Sequence, residues 1–403
     1  MLPVTGFFSD KMKLFVEGRK EVFTILEERI SSEDKLIWIH AASLGEYEQA
    51  VPIIHRIRKN FTDYRILITF FSPSGYEIKK NSELVDIVTY LPLDTPTNVQ
   101  RFLNHTNPQL ALFIKYEFWP NYLSELKFRD IPTLLISGAF RKDQIFFKPY
   151  GKWMRQYLST FEHFFLQNHS SESLLQSIGY HNTSVSGDTR FDRVASQLEQ
   201  DNKLDFVEDF KEGKRCIVIG SSWPEDEALW SPLINGDDTD TKYIIAPHTI
   251  KNSRITEVES SLQVPTVRYT ENQNENLKKF KVLIIDTIGL LTKIYSYADI
   301  AYVGGAAGNT GLHNILEPAT FNVPIIIGQN YEKFPEAVAL EKLGGLISVE
   351  TSEELHNIVI KLLSDQEYTR EVGDISGSFI RQNTGATDTI MKYLSSRPLK
   401  NKR

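Results

Sequence analysis

Cysteine is almost absent: Cys216 is alone among 403 residues, which excludes an intrachain disulfide and any cysteine-cluster metal site and fits a reducing compartment. No run of about 18 apolar residues occurs, so no stretch has the length of a membrane-spanning helix. The opening residues lack the charged, apolar and small-residue order of a secretory signal. An excess of positive charge is also missing. With 45 Lys and Arg against 52 Asp and Glu the net charge is −7, which argues against a nucleic-acid partner, since such proteins carry a basic surface. The nine histidines are dispersed without zinc-ligand spacing, and no phosphate loop ends in Gly-Lys-Ser/Thr, so a metal centre and a P-loop are unsupported. There is no short repeat and no low-complexity tract.

What remains is an ordinary globular composition, 41% apolar and 24% charged, in a chain longer than one hydrophobic core usually serves. Short β-branched or aromatic runs alternate with helical patterns: Leu36 to His40, Arg65 to Phe71, Ile87 to Leu91, Leu110 to Ile114, Thr133 to Ser137, Phe164 to Gln167 and Thr183 to Ser186. After Asp192 the chain turns polar and charged as far as Lys214, which reads as an interdomain connection. Apolar strands then resume at Cys216 to Ile219, Tyr243 to Ala246, Val282 to Ile285, Ile300 to Val303 and Pro324 to Ile327. Strand alternating with helix implies parallel sheets. The expectation is an α/β chain of two Rossmann-like domains, 1–200 and 201–403, with ligands at the carboxyl ends of strands in a cleft where the domains face each other.

The stretch from Gly304 to Pro318 follows a strand and opens an expected helix from about Leu312 to Phe321. Glycines 304, 305, 308 and 311 leave room for backbone amides to approach a phosphate, and a helix start adds unpaired N–H groups. A simple tight turn would read the same way. Asn314 and Glu317, with His313, sit where they can reach ribose hydroxyls. Gly220-Ser221-Ser222, Pro247-His248 and Asp286-Thr287-Ile288-Gly289 end neighbouring strands at the same expected edge.

In the first half, Glu46 starts a helix just past a strand. The helix dipole favours a carboxylate there, able to take a proton from an incoming hydroxyl, although acids in first turns also serve simply as caps. Glu117 lies in Lys115-Tyr116-Glu117-Phe118-Trp119-Pro120, where three aromatics around one acid are either core packing or a sugar and lipid surface. Ser72 and Ser74 end another strand, as an anion site or an ordinary turn. Phe7, Phe8, Met12 and Phe15 share one helical face beside lysines, which suits either an interfacial helix or docking on the chain's own domain. Lysines and arginines crowd both ends, as solvated tails or contacts to an anionic membrane.

Many ordered blocks together resemble the Kdo transferases of lipopolysaccharide assembly, glycosyltransferases of family 30 type, which move 3-deoxy-manno-octulosonic acid from CMP-Kdo to lipid A precursors. The blocks are Glu17-Gly18-Arg19-Lys20, Ser43-Leu44-Gly45-Glu46, Thr69 with Ser72-Pro73-Ser74-Gly75-Tyr76-Glu77, Tyr90-Leu91-Pro92-Leu93-Asp94 and Glu117-Phe118-Trp119-Pro120-Asn121. Further on come Gly187 with Phe191-Asp192, Asp286-Thr287 with Gly289, Val303-Gly304-Gly305, and His313-Asn314 with Leu316-Glu317-Pro318. The resemblance implies a GT-B glycosyltransferase that inverts configuration, without cofactor or essential metal. By position it implies Glu46 as general base. Ser221, Ser222, His248, Gly289, Gly304, Gly305, Asn314 and Glu317 would then bind the donor CMP-Kdo. Arg19, Ser72, Ser74 and Glu117 would bind the acceptor, a phosphorylated lipid A precursor. It further implies attachment to the cytoplasmic face of the inner membrane, either peripheral or through an N-terminal anchor segment absent or shortened here, with an apolar groove near Phe7, Phe8, Met12, Phe118 and Trp119. Departures from the family pattern stand at Lys115, usually an acid; Trp223, usually His; Pro247, usually Arg; Leu290, usually an acid; Ala306, usually Ser; and Leu312, usually Gly. Two other functions fit the same fold: a sugar-nucleotide epimerase and a noncatalytic glycolipid-binding protein.

Overall fold

The computed structural model describes residues 10–271 and 276–397. They form two compact units, the first of residues 10–193 with 383–397 and the second of the described residues within 194–382. The first unit holds seven parallel strands, β1 Leu36–Ala41, β2 Arg65–Phe70, β3 Ile87–Tyr90, β4 Leu110–Ile114, β5 Thr133–Gly138, β6 His163–Leu166 and β7 Thr183–Val185, in the order β3-β2-β1-β4-β5-β6-β7. The second holds β8 Cys216–Ser222, β9 Lys242–Pro247, β10 Thr266–Arg268, β11 Val282–Ile284, β12 Ile300–Val303, β13 Ile325–Gly328 and β14 Leu346–Val349, also all parallel, in the order β10-β11-β9-β8-β12-β13-β14.

Helices cover both faces of each sheet, so the central strands read as continuous apolar runs rather than alternating ones. In β1, Leu36 and Trp38 join the core on one face while Ile37, Ile39 and Ala41 join the core on the other, as the two-residue period of a strand dictates. Trp38 is fully buried against Phe102, Phe113 and Tyr122. Truncating such a side chain costs about 3–5 kcal/mol.

The domain boundary differs from the expected 1–200 and 201–403. Residues 383–397 return to the first unit because helix Ala386–Ser395 buries Ile390, Met391 and Leu394 among Val51, Ile54 and Ile57. Asp192 fixes that return: its carboxylate accepts the amides of Gly385 at 2.7 Å and Thr387 at 2.6 Å, and the Thr387 hydroxyl at 2.6 Å. The polar stretch after Asp192 is not a free connection either. Helix Asp205–Lys211 buries Val207 and Phe210 in the second unit, so two apolar residues on one face outweigh the charged composition.

Both sheets reverse strand order at one point. In the first unit the chain leaves β1 toward β2 on one side and returns to β4 on the other; in the second, β8 is flanked by β9 and β12 in the same way. Loops that diverge at such a reversal open a crevice at the carboxyl ends of the two strands. Glu46 follows β1, and Lys115 to Glu117 follow β4. Ser221 and Ser222 end β8, and Gly304 and Gly305 follow β12.

Candidate functional site

At the reversal point of the first unit, Ser43 precedes helix Leu44–Asn60 and donates its hydroxyl to Glu46 in the first turn. Glu46 is 7% exposed, and its other oxygen lies 3.9 Å from Nζ of Lys115. Lys115 adopts φ +72°, a left-handed conformation that costs a non-glycine residue about 1–2 kcal/mol. That conformation ends β4 abruptly and turns the lysine beside the carboxylate. Lys115 was legible only as a departure from the family pattern; here it is the cationic neighbour of the expected base.

Beneath them, Trp119 donates its indole N–H to Nε2 of His40 at 3.1 Å. The ring proton of His40 therefore sits on Nδ1, which lies 2.9 Å from the hydroxyl and 3.2 Å from the carbonyl of Thr69. Trp38 also donates to the Thr69 hydroxyl, at 2.8 Å. Glu117 Oε2 stands 3.7 Å from the same His40 Nε2. Nothing marked His40 beforehand, since a lone histidine in an apolar run reads as core. The aromatics around Glu117 resolve toward packing: Phe118 lies among Phe140, Phe146 and Phe161, and Trp119 lies over Phe71 at 4.7 Å. They form interior contacts rather than an open lipid surface.

Arg19, expected on a phosphate, spends its guanidinium on the main chain. Nε donates to Leu91 O at 3.1 Å, Nη1 to Phe15 O at 3.0 Å and Nη2 to Phe71 O at 2.7 Å. It stacks 3.7 Å over the Phe15 ring, and burial pushes its pKa down to about 10. The residue ties helix Asp10–Glu17 to the ends of β2 and β3. Phe15 packs on Phe71 at 5.3 Å, so it docks on its own unit; Phe7 and Phe8 lie outside the described residues. Ser72 caps the short helix Pro73–Lys79, its Oγ 3.4 Å from the Ser74 amide and 3.0 Å from the Ser74 hydroxyl. The two serines remain on the same sheet edge as Glu46.

In the second unit the organising group is Asp226, fully buried in the first turn of helix Pro224–Gly236. Its carboxylate accepts the Tyr302 hydroxyl at 2.7 Å and the amides of Gly305 at 2.8 Å, Trp223 at 2.9 Å and Ala307 at 3.3 Å. Burial raises its pKa and these donors pull it back, the net direction being upward. Gly304 is obligatory, because a Cβ there would sit 2.4 Å from Ser221 O and 2.8 Å from Asp226 Oδ2. The glycine run therefore works differently from the expected phosphate cradle. The amide of Gly304 donates to Gly220 O at 2.9 Å, Gly305 to Asp226, Gly311 to Gly305 O at 3.1 Å and His313 to Gly304 O at 3.1 Å. The glycines serve close packing, and the helix begins only at Leu316, running to Thr320 rather than from Leu312 to Phe321.

The donor candidates divide accordingly. Ser222 is 2% exposed and gives its hydroxyl to Glu227 at 2.8 Å, which removes it as a donor to ligand. Ser221 sits at a register shift between β8 and β9 with φ +53° and is half-buried. Glu317 is set by Thr292 Oγ1 at 3.0 Å and by Asn314 Nδ2 at 3.1 Å. His248 is exposed and stacks on Trp223, centroids 4.5 Å apart, with His313 4.6 Å away. Gly289 has φ +98° and open space around it. Among the described residues, no group of three or more His, Cys, Asp and Glu could hold a metal ion. Among the described residues, no helix is long and apolar enough to cross a membrane.

Residues 17–193 match the family model described as 3-deoxy-D-manno-octulosonic-acid transferase (kdotransferase). A 3-deoxy-D-manno-octulosonic acid transferase of Haemophilus influenzae is 27% identical over 386 residues, covering 89% of this chain and 86% of the relative. Another, from Chlamydia trachomatis, is 26% identical over 406 residues, covering 97% and 91%. Among solved structures, the UDP-GlcNAc 2-epimerase of Neisseria meningitidis superposes with a TM-score of 0.63 at 16% identity, covering 90% of this chain and 100% of that one, a likeness of fold alone. The chain is thus similar over most of its length to 3-deoxy-D-manno-octulosonic acid transferases, and over residues 17–193 to that family's model, and it has the GT-B fold of two Rossmann-like units.

Proposed function

We propose that this chain is an inverting glycosyltransferase that moves Kdo from CMP-Kdo to a lipid A precursor, lipid IVA, in lipopolysaccharide core assembly, with Glu46 as general base. The observation that carries the reading is the placement of Glu46 at the reversal point of the first sheet, held by Ser43 and faced by Lys115. A sugar hydroxyl of the acceptor attacks the anomeric carbon of Kdo while the bond to CMP breaks. The hydroxyl proton passes to Glu46, and charge develops on the departing phosphate. In the second unit, Glu317 and Asn314 suit the ribose hydroxyls as fixed acceptor and donor, while Ser221 and His248 are the remaining polar side chains for the phosphate. Ser72, Ser74 and Glu117 are assigned to the acceptor. No essential metal is assigned. The enzyme would work at the cytoplasmic face of the inner membrane, where the lipid acceptor resides.

The test is incubation with CMP-Kdo and tetra-acylated lipid A precursor in detergent, with products read by mass spectrometry and EDTA in a parallel sample. Glycolipid product and CMP release, both insensitive to EDTA, support the proposal. Conversion of CMP-Kdo without acceptor would favour an epimerase, and lipid binding without CMP binding a noncatalytic role.

A further inference from the structure

The segment after β5 carries a surface that the reaction does not use. Tyr150 is 70% exposed and Trp153 55% exposed, three residues apart across a continuous helical run, 3-10 helix Pro149–Gly151 followed by helix Lys152–Leu158. That spacing puts both rings on one face. Within the same segment, residues 141–155, Arg141, Lys142, Lys148, Lys152 and Arg155 stand against one acid, Asp143, in a chain whose net charge is −7. Among the described residues no acidic side chain pairs with Lys142, Lys148 or Lys152.

The segment is rigid for physical reasons. Arg155 turns inward and donates from Nε to Phe146 O at 2.6 Å and from Nη2 to Lys148 O at 3.0 Å. Tyr180 anchors the carbonyl of Arg155 at 2.6 Å. Gly151 approaches Ile145 so closely that a Cβ would lie 1.6 Å from its carbonyl oxygen. Phe146, Met154 and Leu158 are buried beneath. The large rings are therefore held outward at low entropic cost instead of collapsing onto the protein. The start of the segment lies beside the candidate site: the guanidinium of Arg141 lies 5.8 Å from the ring centroid of Tyr116, and Nζ of Lys115 lies 5.1 Å from the same ring.

We propose that Tyr150 and Trp153, with Lys142, Lys148 and Lys152, form a docking surface for an anionic phospholipid bilayer. The rings seat at headgroup depth and the lysines meet lipid phosphates. Tyrosine and tryptophan favour that boundary because one end of each ring is apolar and the other polar, while lysines near an anionic surface each strengthen binding about fivefold. A second copy of this chain is disfavoured as occupant, since two such faces would bring unpaired lysines together. The inference rests on the membrane-bound acceptor proposed above, but its test does not require catalysis.

Full-length protein is mixed with vesicles of phosphatidylethanolamine and phosphatidylglycerol, with or without brominated acyl chains, and with phosphatidylcholine alone. Binding to the anionic vesicles, weakened by 0.5 M salt, with bromine quenching of a fluorescence component that W153F removes, is the expected result. Y150S/W153S should weaken partition about tenfold or more while thermal unfolding and CMP binding stay unchanged. Transfer to a detergent-solubilised acceptor reads the proposed reaction separately, so failure of one leaves the other assessable. Equal vesicle binding by Y150S/W153S, no quenching of Trp153, or self-association through this face without vesicle binding would each overturn the proposal.

Discussion

Trp223 donates its indole N–H to Nε2 of His313 at 3.2 Å, and the ring of His248 stacks on the indole and lies 4.6 Å from the His313 ring. The bond leaves the proton of His313 on Nδ1 and the ring neutral. Burial, then the neighbouring His248, lower the His313 pKa to about 4. The unfolded chain has the ordinary value near 6.5, so between these limits the unfolded state binds a proton that the folded state refuses. The stabilisation is complete above about pH 6.5 and is lost as pH falls toward 4, on the order of 2 kcal/mol. Nitrogen-15 spectra of the imidazole should show the Nδ1–H tautomer persisting to about pH 5. In W223F, His313 should titrate closer to 6.5. A wild-type ring that titrates at 6.5 would contradict the bond.

Asp226 binds the glycine loop to the first turn of the helix after β8. In D226A, the Tyr302 hydroxyl and the Gly305 amide lose their partner inside the buried core. A loss of about 3 kcal/mol is expected, read as a lower midpoint in urea, together with weaker CMP binding because the loop after β12 loses its anchor. Unchanged stability would mean that water replaces the carboxylate.

Ser221 separates stability from ligand binding. Its left-handed φ penalises a Cβ, so S221G should stabilise the fold by about 1 kcal/mol. If its hydroxyl meets the donor phosphate, CMP affinity should fall about fivefold to tenfold in the same variant. Thermal melting and calorimetry check the two signs, and a gain in both would remove Ser221 from the donor site.

Arg19 is a clamp, so R19A should destabilise the first unit by about 2–4 kcal/mol through three abandoned carbonyls. R19K should recover only part of this, because a lysine ammonium cannot span the three directions of the guanidinium fork. Hydrogen exchange at Phe71 and Leu91 reads the effect locally. Loss of acceptor binding with stability intact would return Arg19 to an anion-binding role.

Much of the fold was legible because buried parallel strands leave continuous β-branched runs, and twelve of these fall where the periodicity placed them. The two missed strands, β10 and β14, are short and flank their neighbours with half-exposed residues, so neither pattern nor length announced them. The C-terminal return was invisible because the contact of Asp192 with Gly385 and Thr387 joins positions far apart in sequence. Several residues of the quoted blocks have packing and hydrogen-bonding roles that the sequence alone did not announce. Gly18 is needed because a Cβ would meet the Tyr90 ring at 2.2 Å. Asp94 takes the amides of Asn121 at 3.1 Å and Tyr122 at 3.0 Å, joining two blocks. Gly304 packs rather than cradles. Asp226 and His40 carried no local signal, because a capping acid and a core histidine look ordinary until their partners arrive from other strands.

The most direct measurement compares wild type with E46Q in single-turnover transfer from CMP-Kdo to tetra-acylated lipid A precursor, quantified by mass spectrometry alongside CMP affinity. Wild type should form Kdo-lipid product, and E46Q should bind CMP equally while forming product about 10²–10⁴-fold more slowly. Product formation by E46Q at the wild-type rate, or none by wild type with verified donor, would contradict the role given to Glu46.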